Sequence, residues 1–130
     1  MTIEVNLKIS TEVLEDIFVT ALEGGSNYWY FLSEDAVKKI REAVPKSEDP
    51  YLSTSILKAI LKGVEVPIND AENEDEVIGE ISLKTMLARL QKLADSRNNS
   101  ALISHIDGNG DGDTADIVLQ YLAFGEIVYG

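Results

Sequence analysis

The order of hydrophobic and polar residues predicts strands and helices that are interleaved along the chain. Strict alternation over residues 3–9, and again over residues 64–68, is typical of strands with one buried face. Pro67 cannot donate a backbone hydrogen bond, so we expect either that the second strand is an edge strand or that Pro67 lies at a strand end. The acidic segment 70–76 predicts an exposed turn, followed by a return strand that includes residues 77–78.

Apolar residues at helical spacing predict five short helices. Ser10 or Thr11 can cap the first of them, and Ser33 and Ser82 can cap two later ones. A left-handed glycine is favoured where a helix ends, and proline cannot continue a helix. The predicted ends of the first three helices are Gly24, Pro45 and Gly63.

The connections between these elements are too short for several parallel crossovers. We therefore predict an α+β fold: one compact domain over residues 1–130, with a small, mainly antiparallel sheet and four or five short helices. The last helix is predicted from about Thr114 to Phe124, and residues 126–129 as a final short strand. The chain has no cysteine, which excludes a disulfide framework, a thiolate nucleophile and cysteine-ligated zinc.

The net charge of −12 narrows the choice of partners. Seven acids and no base lie within residues 64–80, and no Lys or Arg follows Arg97. Proteins bind the phosphate backbone of nucleic acids through clustered Lys and Arg side chains, so we expect no general nucleic-acid binding. Residues 1–7 lack the basic start and apolar run of a signal peptide, and no apolar run approaches the roughly 20 residues that span a bilayer. We expect a cytoplasmic protein that does not contact membranes.

The aromatic segment, residues 27–32, follows the pair Gly24–Gly25 and is the strongest candidate for ligand binding. Four of the nine aromatic residues occupy positions 28–31, within a segment, 27–32, that is predicted as a strand. Tyr and Trp combine a flat apolar body with a polar tip, which suits recognition as well as packing. A helix end followed by a tight turn is the structural alternative. The candidate ligand-binding residues are Gly25, Ser26, Asn27, Tyr28, Trp29 and Tyr30.

The glycine-rich loop 107–113 matches the first half of a calcium-binding loop. Its oxygen ligands would be Asp107, Asn109, Asp111 and Asp113. Val118 stands where the closing bidentate carboxylate belongs, so at most weak Ca²⁺ binding is expected, and no other cofactor. The structural alternative is a turn in which Asp113 caps the last helix.

Catalysis has no specific motif in this sequence. The acidic loop 107–116 beside His105, the sole histidine, allows one alternative function. This is a cation-dependent or acid–base hydrolase that would use Asp107, Asp111, Asp113 or Asp116. A triad of Ser104, His105 and Asp107 is disfavoured, because adjacent residues seldom orient in that way.

Two parts of the chain resemble small uncharacterised proteins carried by phages and prophages. They are residues 20–29, TALEGGSNYW, and residues 113–120 with 124–130, DTADIVLQ and FGEIVYG. The glycine-rich residues 107–112 lie outside the shared pattern. The resemblance implies an accessory phage protein in the host cytoplasm. It would act by binding, either to a host defence protein or to a small nucleotide signal, and no activity residue can be carried over from the family.

The two kinds of partner would use different surfaces. A nucleotide base would stack on the aromatic residues 28–30, with polar contacts from Ser26 and Asn27. Its phosphates would need the scattered cations, which a homo-oligomer could bring together. These cations are Arg41, Arg89 and Arg97. A protein partner would use the acidic face over residues 65–80.

Overall fold

A computed structural model describes residues 1–130 and contains six α-helices and one three-stranded sheet. This confirms the prediction of a single α+β domain. A π-helical turn, Ala21–Gly25, continues the first helix. The helices are α1 Thr11–Thr20, α2 Glu34–Ala43, α3 Leu52–Leu61, α4 Leu83–Ala94, α5 Asn99–Ile106 and α6 Gly112–Phe124. The strands are β1 Tyr30–Phe31, β2 Val66–Asp70 and β3 Val77–Ile81.

The sheet is antiparallel, in the order β1-β2-β3. The predicted hairpin around the acidic turn is confirmed as β2–β3. Of the two positions predicted for Pro67, the edge strand is wrong, because β2 lies at the centre of the sheet, and the strand end is confirmed, because Pro67 is the second residue of β2. β1 pairs only with Asn69 and Asp70, so Pro67 has no strand beside it on that side. A short neighbour is what allows a proline in a central strand.

The core is one cluster of 27 buried hydrophobic residues. Helix α6 lies at its centre and packs against α1, α4, α5 and β3, while α2 packs against α3 and β2. The predicted serine caps are confirmed: Ser10, Ser33 and Ser82 each accept a hydrogen bond from a backbone N–H three residues on. None of the helices combines the length and apolar character needed to cross a bilayer.

The predicted strand over residues 3–9 is wrong. Residues 1–10 form neither helix nor strand, and the side chains of Ile3 and Val5 are exposed. Val5, Leu7 and Ile9 line an apolar groove together with residues of α4 and with Leu102 of α5. Alternation produces a strand only where another strand offers its edge, and this segment lies against helices.

Three other local predictions also differ from the structure. Gly24 is not left-handed; it lies in the π-helical turn, whereas Gly63 has a φ of +97° and follows α3 as predicted. Helix α5 was not predicted, because its few apolar residues lie within a polar, glycine-rich segment. The tail after α6 is not a strand.

Candidate functional site

A buried carboxylate, Asp116 on α6, joins the aromatic segment to the last helix. Ser26 Oγ and Trp29 Nε1 each donate a hydrogen bond to its Oδ1 at 2.7 Å. Tyr28 Oη donates to Oδ2 at 2.5 Å, and Gln120 Nε2 donates to the same oxygen at 3.1 Å. Four neutral donors therefore surround this carboxylate, and none of them is a cation.

A close approach of two backbones places the aromatic segment against α6. A Cβ atom at Gly25 would overlap the carbonyl oxygen of Gly112, the first residue of α6. A Cβ atom at Gly24 would meet nothing within 4 Å. Gly25 is thus required by packing, and the contact brings Ser26 beside the first turn of α6.

The aromatic residues do not alternate as in a strand. Only Tyr30 and Phe31 are in β1, and residues 26–29 form a turn, so the strand predicted over 27–32 is wrong for its first half. Trp29 is 1% exposed, whereas Tyr28 is 51% exposed. Tyr30 Oη donates to the carbonyl of Leu22 at 2.5 Å. The polar ends of all three aromatic side chains are therefore bonded within the protein.

The indole ring of Trp29 is covered by other aromatic rings. Tyr129 stacks on it with ring centroids 5.6 Å apart and an interplanar angle of 7°. Phe124 lies tilted against it at 5.1 Å. A ring that is 1% exposed offers no free face to a nucleobase in this conformation. Asn27 is exposed, and its side chain makes no hydrogen bond within the protein.

The C-terminal tail is held in place by the side chain of Gln120. Its Oε1 accepts from the backbone N–H groups of Val128 and Tyr129, both at 2.8 Å. Its Nε2 donates to the carbonyl of Tyr129 at 3.2 Å. The tail was predicted to be a strand, but its backbone bonds to this one side-chain amide and not to another strand.

An open cavity of about 320 Å³ lies between Tyr28 and the tail. Asp113 and Asp116 contribute to its lining, and no Lys or Arg does. Desolvation, together with the hydrogen bond to Asp116, raises the pKa of Tyr28 to about 12, so its phenol remains a donor at neutral pH. A cavity with two acids and no base does not suit the phosphates of a nucleotide.

The three arginines considered for phosphate binding lie apart from this cavity. Arg41 donates to the carbonyl of Asp49 at 2.6 Å and to Ser55 Oγ at 3.2 Å. Arg89 donates to the carbonyl oxygens of Leu122 and Glu80. Arg97 alone is exposed and unbonded. Two of the three cations therefore already serve the fold.

Residues 107–111 connect α5 to α6, and the acids of the predicted calcium loop 107–113 do not come together as a metal site. Asp111, not Asp113, caps α6. It accepts a hydrogen bond from Thr114 N at 2.9 Å, and the backbone and side-chain hydrogen bonds from Thr114 lower the pKa of its carboxyl. The expectation for Asp113 is wrong because α6 begins at Gly112, two residues earlier than predicted. No three histidine or acidic side chains in the chain form a group that could hold a metal ion. Weak calcium binding stays a prediction.

His105 is buried beneath this loop and pairs with Thr114, not with Asp107. Its Nε2 lies 2.9 Å from Thr114 Oγ1, and burial lowers its pKa. The Ser104 hydroxyl donates to the carbonyl of Ser100, so the adjacent triad is not formed. Thr114 Oγ1 also accepts from Asp111 N at 2.8 Å as part of a capping box. This arrangement fixes the start of α6.

A second buried acid, Asp49, is also fully paired. It accepts from Thr54 Oγ1 at 2.5 Å, from Lys58 Nζ at 2.9 Å and from Tyr51 N at 3.0 Å. The hydrogen bond from Thr54 is the largest cause holding the pKa of this carboxyl below its usual range. With Lys58 as its ion-pair partner, Asp49 joins α3 to the turn before it.

A polar opening lies between α2 and the β2–β3 turn, and we call it the hairpin groove. It encloses about 620 Å³. The charged residues that line it are Asp35, Lys38, Lys39, Glu42, Glu74 and Asp75. None of these side chains forms an ion pair, since the two ion pairs of the protein are Lys58–Asp49 and Lys62–Glu48.

Asn69 on β2 contributes to the hairpin groove and has an unmet hydrogen-bond acceptor. Its side chain lies on the same side of β2 as Pro67, which also lines the groove. Nδ2 donates to the carbonyl of Glu74 at 2.7 Å. Oδ1 is buried and has no partner, and it is the sole side-chain atom of the protein in that condition. Buried polar atoms are nearly always paired, so this one needs an explanation.

No protein-family model matches this chain, and comparisons with curated proteins and with solved structures give no match. What the protein does is therefore inferred from its own residues.

Proposed function

We propose that this chain is a non-enzymatic accessory protein of phage type that binds a protein of the host cell through the acidic face over residues 65–80. The observation that carries the proposal is the contrast between two surfaces. At the aromatic segment, Ser26, Trp29 and Asp116 satisfy one another's hydrogen bonds. At the hairpin groove, Asn69 Oδ1 has no partner, and the surrounding charges form no ion pairs.

A protein partner is favoured over a nucleotide for two reasons. The indole of Trp29 is already covered by Tyr129, and the cavity beside it is lined by acids. The hairpin turn, in contrast, is exposed from Glu72 to Val77 and carries four carboxylates within that span. An exposed acidic surface with unpaired charges attracts a basic protein surface and steers its approach.

The test is capture from a lysate of the bacterial host with matched variants. The groove variant, Glu74→Gln with Asp75→Asn, removes two exposed charges at the groove. The control variant, Glu12→Gln with Asp16→Asn, removes the same two charge types from an exposed patch on α1. We expect a host protein that the wild type and the control variant retain equally at 0.15 M salt, and that the groove variant loses.

Two results would contradict the proposal. The first is equal retention of the captured protein by both variants, which would locate the contact elsewhere. The second is an absence of any captured protein together with binding heat from a nucleotide second messenger in calorimetry. Turnover on a hydrolase panel that Asp111→Ala abolishes would instead favour the hydrolase.

A further inference from the structure

We infer that the hairpin groove binds an arginine side chain of the partner, and that Asn69 Oδ1 accepts a hydrogen bond from its guanidinium. This inference rests on the proposed function and names the chemistry of the same surface. Because Nδ2 is fixed by the carbonyl of Glu74, the side-chain amide cannot turn over without losing that bond. The free atom is therefore an acceptor, and only a donor can satisfy it.

The charges around Asn69 determine which donor fits. Four carboxylates and two lysines line the groove, which leaves a net charge of −2. The carboxylates belong to Asp35, Glu42, Glu74 and Asp75. All four are exposed and without ion pairs, so each can meet an incoming cation. A neutral donor would satisfy Oδ1 and leave these carboxylates unused.

Guanidinium suits this arrangement better than ammonium. It carries five N–H donors in a planar fork, so it can bond one carboxylate and Asn69 Oδ1 at the same time. It is also more weakly hydrated than an ammonium group and costs less to bury. Oδ1 is buried, so the guanidinium reaches it only as side chains of the groove turn aside.

The position of Asn69 places the proposed acceptor beside the β2–β3 turn. Its bond to the carbonyl of Glu74 spans the β2–β3 turn, next to the carboxylates of Glu74 and Asp75. Ile68 pairs with Gly79 and Asn69 with Val77, so β3 carries one extra residue, Ile78, opposite the acceptor. Bulges of this kind are over-represented next to functional sites.

The probe is a blocked tetra-arginine peptide, titrated by calorimetry at 0.15 M salt against the full chain. Tetra-lysine and tetra-citrulline serve as matched peptides. We expect tetra-arginine to bind most tightly, and the groove variant to weaken its Kd about three- to tenfold, as expected for two exposed charges. The control variant, Glu12→Gln with Asp16→Asn, should change the Kd less than about twofold.

A second measurement uses the wild type alone, because replacing Asn69 also removes its brace to the hairpin turn. In ¹⁵N NMR spectra, the side-chain amide signals of Asn69 should shift as tetra-arginine is added. Those of Asn27, which is exposed and outside the groove, should stay in place.

Several results would overturn the inference. The inference fails if tetra-arginine does not bind, or if tetra-lysine binds to the wild type as tightly. It also fails if the groove variant and the control variant lose the same affinity for tetra-arginine, or if the NMR signals of Asn69 do not shift. If a host protein still depends on Glu74 and Asp75 in the capture experiment, the proposed function stands and only the arginine assignment fails. If capture does not depend on them while tetra-arginine binds, the proposed function fails.

Discussion

Replacing Asp116 should destabilise the fold strongly, because its carboxylate is the only partner of two buried donors. Ser26 Oγ and Trp29 Nε1 make no other hydrogen bond, and both residues are fully or almost fully buried. In Asp116→Ala both donors are left unpaired. Each unpaired buried donor costs about 1–3 kcal/mol, so the expected loss in free energy of unfolding is about 2–6 kcal/mol.

Asp116→Asn should cost less than Asp116→Ala. The amide oxygen can still accept from Ser26 and Trp29. The amide nitrogen then faces the hydroxyl of Tyr28, which can turn to accept, and the Nε2 of Gln120, which cannot. Gln120 cannot turn its own amide over without losing its two bonds to the tail. One donor is left facing another, at a cost of about 1–3 kcal/mol.

The assay is urea unfolding followed by the fluorescence of Trp29, the single tryptophan, which reports on the site itself. Asp113→Asn is the matched control, since Asp113 lies on the same helix and is exposed without hydrogen bonds to its side chain. That variant should remain within about 0.5 kcal/mol of the wild type. An Asp116→Ala protein as stable as Asp113→Asn would refute the assignment of Asp116 as an essential acceptor.

Three further predictions concern positions that the sequence singled out. Gly25→Ala should destabilise the fold by more than about 1 kcal/mol, since its Cβ overlaps Gly112. Gly24→Ala should leave the stability unchanged or raise it slightly, and thermal unfolding compares the two variants. Burial lowers the pKa of His105, so the unfolded chain binds its proton more readily, and stability should fall as pH drops below about 6.5. His105→Gln should flatten that part of the pH–stability profile, and an unchanged slope would contradict the cause. Calcium at 1 mM should shift the melting temperature little relative to chelator, whereas a micromolar site would add about 4 kcal/mol.

The local part of the fold could be predicted from the sequence. A serine three residues before a free backbone N–H is a local signal, and each of the three serine caps formed as expected. The β2–β3 hairpin was also predicted, since alternation flanks an acidic turn. The strand predicted over residues 3–9 is wrong because an alternating pattern does not show which surface lies nearby. Here that surface is a groove between helices.

The candidate site could be predicted only in part. Residues 25–30 were predicted to bind a ligand, and that stays a prediction; the hydrogen bonds that Ser26 and Tyr28 make in the structure are to Asp116, about 90 positions away along the chain. One signal was available: Asp116 and Gln120 lie four residues apart, on one face of a helix that is otherwise apolar on that side. The unpaired oxygen of Asn69 depends on the carbonyl of Glu74, which fixes the side-chain amide, and no sequence pattern specifies that contact.

Site-specific photo-crosslinking tests the central claim, that the hairpin groove is the surface that binds a host protein. A benzophenone side chain at Val77 lies in the groove, and one at Leu87 lies on α4 outside it. The two positions are equally exposed, at 60% and 59%, so their general reactivity is matched. Irradiation in host cells should give a covalent adduct with one host protein from position 77 and none from position 87. An adduct from position 87 alone, or the same adduct from both positions, would contradict the claim.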